Sequence, residues 1–208
     1  MKKFYALLGL AAIFASPVAA QVNVVPQVGV ISGIVNKASY RAVSVGLVPA
    51  ASATDFFCIA GSATKTVKVT GIRLQGVAGT LTSVPIVLIR RASVATGGTA
   101  ASTIANPANT ISKVDTTNAA ASATLIAYTA NPTITDASPT YLGSAYLTVP
   151  TVAAGTSTPL TEFIFGANLP QFTQQATLRG VAEQICLNMQ AATITAGVLN
   201  IVVFWTEE

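Results

Sequence analysis

An all-β fold is the prediction for this chain of 208 residues, and three observations lead to it. Val, Ile, Thr, Phe and Tyr recur in short runs that Gly, Pro, Asn and Ser separate. After the first 20 residues, no stretch keeps the i, i+3, i+4, i+7 apolar spacing of an amphipathic helix. Hydrophobic residues make up 51% of the chain, enough for a large core. We therefore expect a single β-sandwich or jelly roll of about nine strands.

The first 20 residues have the organisation of a secretory signal peptide. Lys2 and Lys3 form a basic start, an apolar stretch runs from Phe4 to Phe14, and small residues precede the expected cleavage point after Ala20. The alternative is an uncleaved membrane anchor, but the apolar run falls short of the ~20 residues that span a bilayer. We expect a cleavable signal-like helix over residues 1–20. The mature protein is then secreted, at the cell surface or in a virion, with no membrane segment.

An extended N-terminal arm is expected over residues 21–53, which are rich in Val, Gly and Pro. Its first part alternates like a strand, with Val22 and Val24 and then Val28 and Val30 at every second position. An arm of this kind adds a strand to its own sheet or to that of a neighbour. We expect these four valines to make assembly contacts.

The β-sandwich domain is expected over residues 54–208. Strands are predicted wherever β-branched and aromatic runs lie between turn residues. The most apolar run comes last, so we expect it in the middle of a sheet, with Trp205 in the core or at an interface. The predicted strands are Asp55–Ile59, Lys65–Val77, Val84–Arg90, Ala123–Tyr128, Tyr141–Val149, Glu162–Phe165, Ala176–Arg179, Glu183–Met189 and Val198–Trp205.

The second of these strands changes phase in its middle. Val67 and Val69 share one face, whereas Ile72 and Leu74 have the opposite parity. A slip of one residue with Gly71 at the break predicts a β-bulge.

Cys58 and Cys186 both lie in apolar, strand-like stretches. Their spacing fits no metal-binding motif, so we expect no metal site. In an exported protein they are expected to form one disulfide. The alternative is a pair of buried free thiols that pack as small hydrophobic side chains.

The chain contains no histidine, which restricts its chemistry. A Ser/His/Asp triad, a Cys/His pair and a His-ligated metal site are all excluded. Charged residues make up only 9% of the chain, against a usual share of about 25%. Of the seven acidic residues, only Glu207 and Glu208 are neighbours, at an end expected to be solvated. We therefore expect no enzyme and no cofactor.

A nucleic-acid partner is also disfavoured. Removal of Lys2 and Lys3 with the signal peptide leaves nine basic residues of the original 11 against seven acidic ones, a charge of about +2. These few cations are spread thinly rather than gathered on one face. The single adjacent pair, Arg90 and Arg91, is expected to mark a strand end that reaches solvent.

Aromatic side chains offer one route to a sugar-binding surface. Tyr128, Tyr141, Tyr146 and Trp205 are the candidates for stacking on a glycan. In strands, such residues more often fill the core or pair across strands.

Several short motifs together carry a resemblance. They are GLVPAA (46–51), TDFF (54–57), GSATKTVKVT (61–70), LIRRAS (88–93), TGGT (96–99), AYTANPT (127–133), LRG (178–180) and WTEE (205–208). With them, residues 46–208 resemble a group of poorly characterised β-rich proteins from tailed phages and from bacterial or metagenomic sequences. The resemblance implies a small virion-associated or surface β-sandwich protein and implies no activity for any residue. The signal-like N-terminus and the two cysteines depart from that pattern and favour a secreted or cell-surface assembly.

Two functions follow as expectations. The first is a non-enzymatic structural protein that assembles with copies of itself or with other structural subunits, or decorates a larger particle or surface, using the arm and the segment 92–122 for contacts. A surface poor in charge suits closely packed subunits. The alternative is a secreted lectin-like or adhesin module that binds glycans through its loops.

Overall fold

The computed structural model describes residues 37–98, 100–101, 111–152, 158–166 and 175–208. Within them the chain forms two antiparallel sheets, which confirms the all-β prediction. No helix in these residues is long and apolar enough to cross a membrane. The strands are β1 (Ala38–Leu47), β2 (Ala53–Ala60), β3 (Thr66–Val77), β4 (Thr82–Arg91), β5 (Ala100–Ala101), β6 (Ile111–Lys113), β7 (Thr124–Tyr128), β8 (Thr140–Val149), β9 (Thr161–Ile164), β10 (Ala176–Arg179), β11 (Gln184–Ala192) and β12 (Val198–Glu207).

In the described residues, each sheet contains six strands. Sheet A has the order β10-β3-β12-β1-β6. Strand β9 also pairs with β3, along the part of β3 that follows its pairing with β10. Sheet B has the order β5-β7-β2-β11-β4-β8. A single large cluster of buried side chains takes members from both sheets, so the core lies between them as in a β-sandwich.

Strand β12 illustrates how the sequence builds this core. Leu199, Ile201 and Val203 are fully buried, while Asn200 and Val202 between them are only partly buried on the other face. This alternation places every second side chain in the core and keeps the strand in register with its neighbours. At the centre of sheet A, β12 pairs with β1 on one side and β3 on the other.

Trp205 belongs to this core, with 1% of its surface exposed. Its ring stacks on that of Tyr40, directly opposite on β1, with centroids 5.6 Å apart. The Tyr40 hydroxyl donates to the Ala119 carbonyl oxygen at 3.0 Å. Two large aromatic side chains therefore fix β1 against β12, and the predicted central position of the last strand is confirmed.

The predicted bulge is also present. Phe204 lies opposite Gly71 and the next residue, Trp205, lies opposite Val69, so Thr70 is the extra residue in β3. The slip turns both Val69 and Ile72 into the core although their parities differ. The change in parity of the apolar residues along the sequence therefore located this bulge correctly.

The N-terminal boundary of the domain differs from the expectation. Residues 21–53 were expected to form an arm, but Ala38–Leu47 form strand β1 of sheet A and Ala53 begins β2 of sheet B. Strand β1 was missed because its pattern is weak. Ala42 and Ser44 face the core and are small, while Val43 and Val45 point outward.

Nine of the twelve strands coincide with predicted ones, and β1, β5 and β6 were not predicted. Strands β5 and β6 contain only two and three residues, too few to show an alternating pattern. The predicted signal peptide of residues 1–20 and the remaining arm, residues 21–36, lie outside the described residues.

Candidate functional site: the outer face and free edge of sheet B

The two cysteines lie directly opposite each other on neighbouring strands of sheet B, Cys58 on β2 and Cys186 on β11. Their Sγ atoms are bonded at 2.08 Å and their Cα atoms are 4.1 Å apart. Both side chains are fully buried on the outer face of the sheet, where they pack with Ala95 and Tyr128 in a second, smaller apolar cluster. The structure therefore contains the disulfide rather than the pair of free thiols.

The other predicted site residues are the valines of the arm. Val22, Val24, Val28 and Val30 lie outside the described residues, so their assembly role stays a prediction.

A buried ion pair lies beside the disulfide. Arg91, at the end of β4, reaches across β11 to Asp55 on β2, with Nε and Nη2 donating to the two carboxylate oxygens at 2.5 and 2.7 Å. Both residues are almost fully buried, at 3% and 1% exposure. Arg91 was expected to reach solvent with Arg90. Instead a buried bidentate pair holds it, and Arg90 pairs with Glu183 at 2.7 Å.

Neighbouring amides complete the polar part of this cluster. Asn188 Nδ2 donates to Asp55 Oδ1 at 2.6 Å, and Asn188 Oδ1 accepts from the backbone N–H of Gln190 at 2.7 Å. Gln184 Oε1 accepts from the Ala95 N–H at 3.3 Å, while its buried Nε2 has no partner among the described residues. The cluster ties three strands of sheet B to the segment that follows β4.

Tyr128 lies over the same cluster. Burial raises the pKa of its hydroxyl, and the negative charge of Asp55 raises that pKa further. Its hydroxyl is 3.5 Å from the Ala95 carbonyl oxygen, to which it donates. The phenol is therefore neutral and acts as part of the packing.

Asp55, Cys58 and Cys186 are the one group in the described residues whose acidic and sulfur atoms lie close enough to share a metal ion, within 4.8 Å. Both sulfur atoms are already bonded to each other, and a thiolate rather than a disulfide binds metals. The Asp55 carboxylate already holds Arg91 and Asn188. The group is a structural cluster in this form.

The remaining acidic residues are also engaged. Three of them pair with basic side chains on the surface: Glu162 with Arg73, Glu183 with Arg90, and Glu208 with both Lys37 and Lys68. The other three hold backbone N–H groups: Asp115 that of Thr117, Asp136 those of Ala92 and Ser138, and Glu207 those of Ser122 and Ala123. These carboxylates brace strands and turns rather than converge on a cleft.

The sheet edges differ sharply in length. Three edges of the described residues consist of short strands: β5 has two residues, β6 has three, and β9 and β10 have four each. The fourth edge is β8, which has ten residues and pairs only with β4. Long open edges are uncommon in folded proteins because their unpaired N–H and C=O groups recruit other strands.

Strand β8 has few of the features that usually keep an edge strand from pairing with another chain. Its sequence, TYLGSAYLTV, contains no charged residue and no proline. It does contain a bulge at Leu142, because Leu88 of β4 lies opposite Gly143 and Ile89 lies opposite Tyr141. Because of this extra residue, Tyr141 and Tyr146 share the outer face although they are five positions apart. They are among the most exposed large side chains described, at 65% and 73%.

The main chain of β8 turns hydrogen-bonding groups toward this edge, and the side chain of Thr161 on β9 already binds one of them. Pro85 lies opposite Tyr146 and has no N–H, and the Tyr146 carbonyl accepts a bond from the Thr161 hydroxyl, outside β4, at 3.4 Å. The N–H and C=O of Tyr146 therefore point away from β4. Alternate residues of a strand point the same way, so those of Ser144 also face the free edge.

The four aromatic candidates divide into two pairs. Tyr128 and Trp205 are buried and belong to the packing, whereas Tyr141 and Tyr146 are exposed together on one face. Sequence reasoning missed this grouping, because a spacing of five places two residues on opposite faces of a regular strand. The bulge at Leu142 reverses the parity, and its sequence signal, the isolated Gly143 inside the strand, was overlooked.

No family model matches this chain, and neither curated proteins nor solved structures give a match.

Proposed function

We propose that this chain is a non-enzymatic structural subunit that is exported and assembles with copies of itself or with other structural subunits. The observation that carries the proposal is the ten-residue edge strand β8, which is uncharged and bears Tyr141 and Tyr146 on its outer face. An edge of this kind gains main-chain hydrogen bonds and buries aromatic surface only when another chain pairs with it.

The distribution of charge supports the same role. Five of the seven acidic residues form ion pairs with basic side chains, so most of the negative charge is neutralised locally. Interfaces between subunits are depleted in Lys, Glu and Asp. The signal-like N-terminus favours an extracellular assembly, and the resemblance to β-rich phage proteins favours a virion.

Sedimentation velocity of the exported protein over a range of concentrations, followed by negative-stain electron microscopy, tests the proposal. We expect oligomers, rings, filaments or particle-bound copies that form reversibly with concentration. A protein that remains monomeric at all concentrations and is found on no particle would overturn it.

A glycan-binding module is the second candidate, and the exposed tyrosine pair is the observation that favours it, because flat aromatic faces stack on sugar rings. The sharpest comparison is a glycan array probed with the wild type, with Tyr146→Ser and with Tyr128→Phe as a buried control. A monomer that is retained on the array, and that loses retention only with Tyr146→Ser, would replace the structural role with a binding role.

A further inference from the structure

We propose that sheet B continues into a second copy of this chain through antiparallel pairing of β8 with β8 of the partner, centred on Ser144. The proposal rests on the proposed structural function and names the surface and the partner that the function needs. A symmetric pair of this kind uses the same residues on both subunits, as most soluble dimers do.

The main-chain geometry selects the centre. The N–H and C=O of Tyr146 point away from β4, and those of Ser144, one repeat of the strand earlier, point the same way. If Ser144 lies opposite its own copy, the two residues exchange both hydrogen bonds. Outward from Ser144, the bulge at Leu142 of one copy then lies opposite Tyr146 of the other, whose carbonyl oxygen also accepts from the Thr161 hydroxyl of its own chain.

The side chains select the same centre. Along β4, Tyr146 lies opposite Pro85, Ser144 opposite Val87 and Tyr141 opposite Ile89, so the two tyrosines are equally far from Ser144. A two-fold axis at Ser144 therefore places Tyr141 of each copy opposite Tyr146 of the other. Aromatic pairs directly opposite across antiparallel strands stabilise a sheet.

Charge does not oppose this contact. Strand β8 has no charged residue, so the two copies bring no like charges together. The outward residues of β4 next to it, Ser83, Pro85 and Val87, are also uncharged. Among the described edges, only β8 is long enough to form several successive pairs of hydrogen bonds with its own copy.

A cysteine at the axis gives a direct test, because the native cysteines are buried and bonded to each other. Residues that exchange both hydrogen bonds have Cα atoms about 5.5 Å apart, which is within the range for a disulfide. Under mild oxidation, most of a Ser144→Cys protein is expected to become a covalent dimer. Ser83→Cys is the matched control, an exposed serine on the same face of β4 that lies far from the axis.

Charge substitutions give a second test that does not depend on oxidation. Ser144→Lys and Ser144→Glu each place like charges opposite each other and should weaken dimerisation at least about tenfold. An equimolar mixture of the two variants should recover the dimer, since opposite charges then meet at the axis. Ser83→Lys should dimerise as the wild type does, and circular dichroism checks that each variant is folded.

The outcomes separate the interface from the function. If the wild type assembles but Ser144→Cys gives no covalent dimer and the charged mixture does not recover, the β8 pairing is wrong while the structural role stands. If the wild type is monomeric but is found on a particle, only the β8 pairing fails; if it is monomeric and found on no particle, both proposals fail. Selective cross-linking with charge rescue supports both.

Discussion

The Glu207 carboxylate, near the end of β12, binds the backbone of the segment that precedes β7. It accepts bonds from the Ser122 and Ala123 N–H groups at 2.9 and 3.0 Å and from Trp205 Nε1 at 3.1 Å, and Lys65 Nζ lies 3.6 Å away. Burial raises its pKa, but the hydrogen bonds outweigh burial and hold the pKa below the ordinary value of 4.5. The charged form is therefore favoured by folding.

This depressed pKa predicts a pH dependence of stability. A carboxyl group whose pKa is lower in the folded state contributes fully above the unfolded pKa, near 4.5, and loses the contribution as pH falls through the folded value. Glu207→Gln should lower the free energy of unfolding at pH 7 by about 2–3 kcal/mol, because a buried acceptor for charged hydrogen bonds is lost. Urea unfolding at pH 7 and at pH 3 measures both effects.

The variant should lose much less stability than the wild type between the two pH values. Asp115→Asn is the control, since the Asp115 pKa is also lowered, by its hydrogen bonds to Thr117, but the group is exposed. An unchanged pH dependence in Glu207→Gln would contradict the role given to this carboxylate.

The disulfide leads to a second residue-scale prediction. It closes a loop between positions 128 residues apart, and loop-closure entropy over that length corresponds to about 4–5 kcal/mol in the chain-entropy model. Peptide mapping without reductant should recover Cys58 and Cys186 together in one peptide pair. The double variant Cys58→Ala/Cys186→Ala should unfold at a clearly lower urea concentration.

Alkylation of both thiols in unfolded but unreduced protein requires that the disulfide be absent, so that result would reject it. Ser62→Ala, in the turn after β2, is a suitable comparison, because it removes local hydrogen bonds to Thr64 and Lys65 without touching the disulfide.

Gly76 and Gly71 of strand β3 differ in how much space each leaves for a side chain. A Cβ on Gly76 would lie 2.7 Å from the Val198 carbonyl oxygen, whereas a Cβ on Gly71 would meet only the Phe163 oxygen at 3.5 Å and Phe204 at 3.7 Å. Gly76 therefore allows β12 to approach β3 closely. We expect Gly76→Ala to lower the free energy of unfolding by about 1–3 kcal/mol.

Gly71→Ala, in the same strand, should change that free energy by less than about 1 kcal/mol. Thermal unfolding followed by circular dichroism compares the two variants. Equal destabilisation by both would show that loss of glycine in β3, rather than the close approach of β12, is responsible.

We expect the export and the assembly of this protein to depend on its N-terminal segments. Cleavage after Ala20 should give a mature protein that begins at Gln21, and the intact mass of exported protein measures this directly. A mass that retains residues 1–20 would remove the argument for secretion and return weight to a virion role.

Deletion of residues 21–35 should leave the β-sandwich folded but weaken self-association. The deletion ends before β1, so the sandwich should fold as before, and Lys37 keeps its ion pair with Glu208. Self-association should weaken, because the alternating valines of the arm are expected to pair with a neighbouring sheet. Sedimentation measures association and circular dichroism measures folding; unchanged assembly, or loss of the β signal, would each contradict the proposed arm.

The sequence by itself determined the fold class, the position of nine strands and the bulge in β3, because these depend on alternation between neighbours along the chain. It also singled out Cys58 and Cys186 but left their bonding open.

Only the tertiary structure decided what depends on contacts across strands. It placed the two sulfur atoms opposite each other, buried Arg91 against Asp55, and added β1 to sheet A despite its small inward residues. It also left β8 at an edge. The register with β4 places the bulge at Leu142, which turns Tyr141 and Tyr146 to one face, because register is set between strands rather than along them.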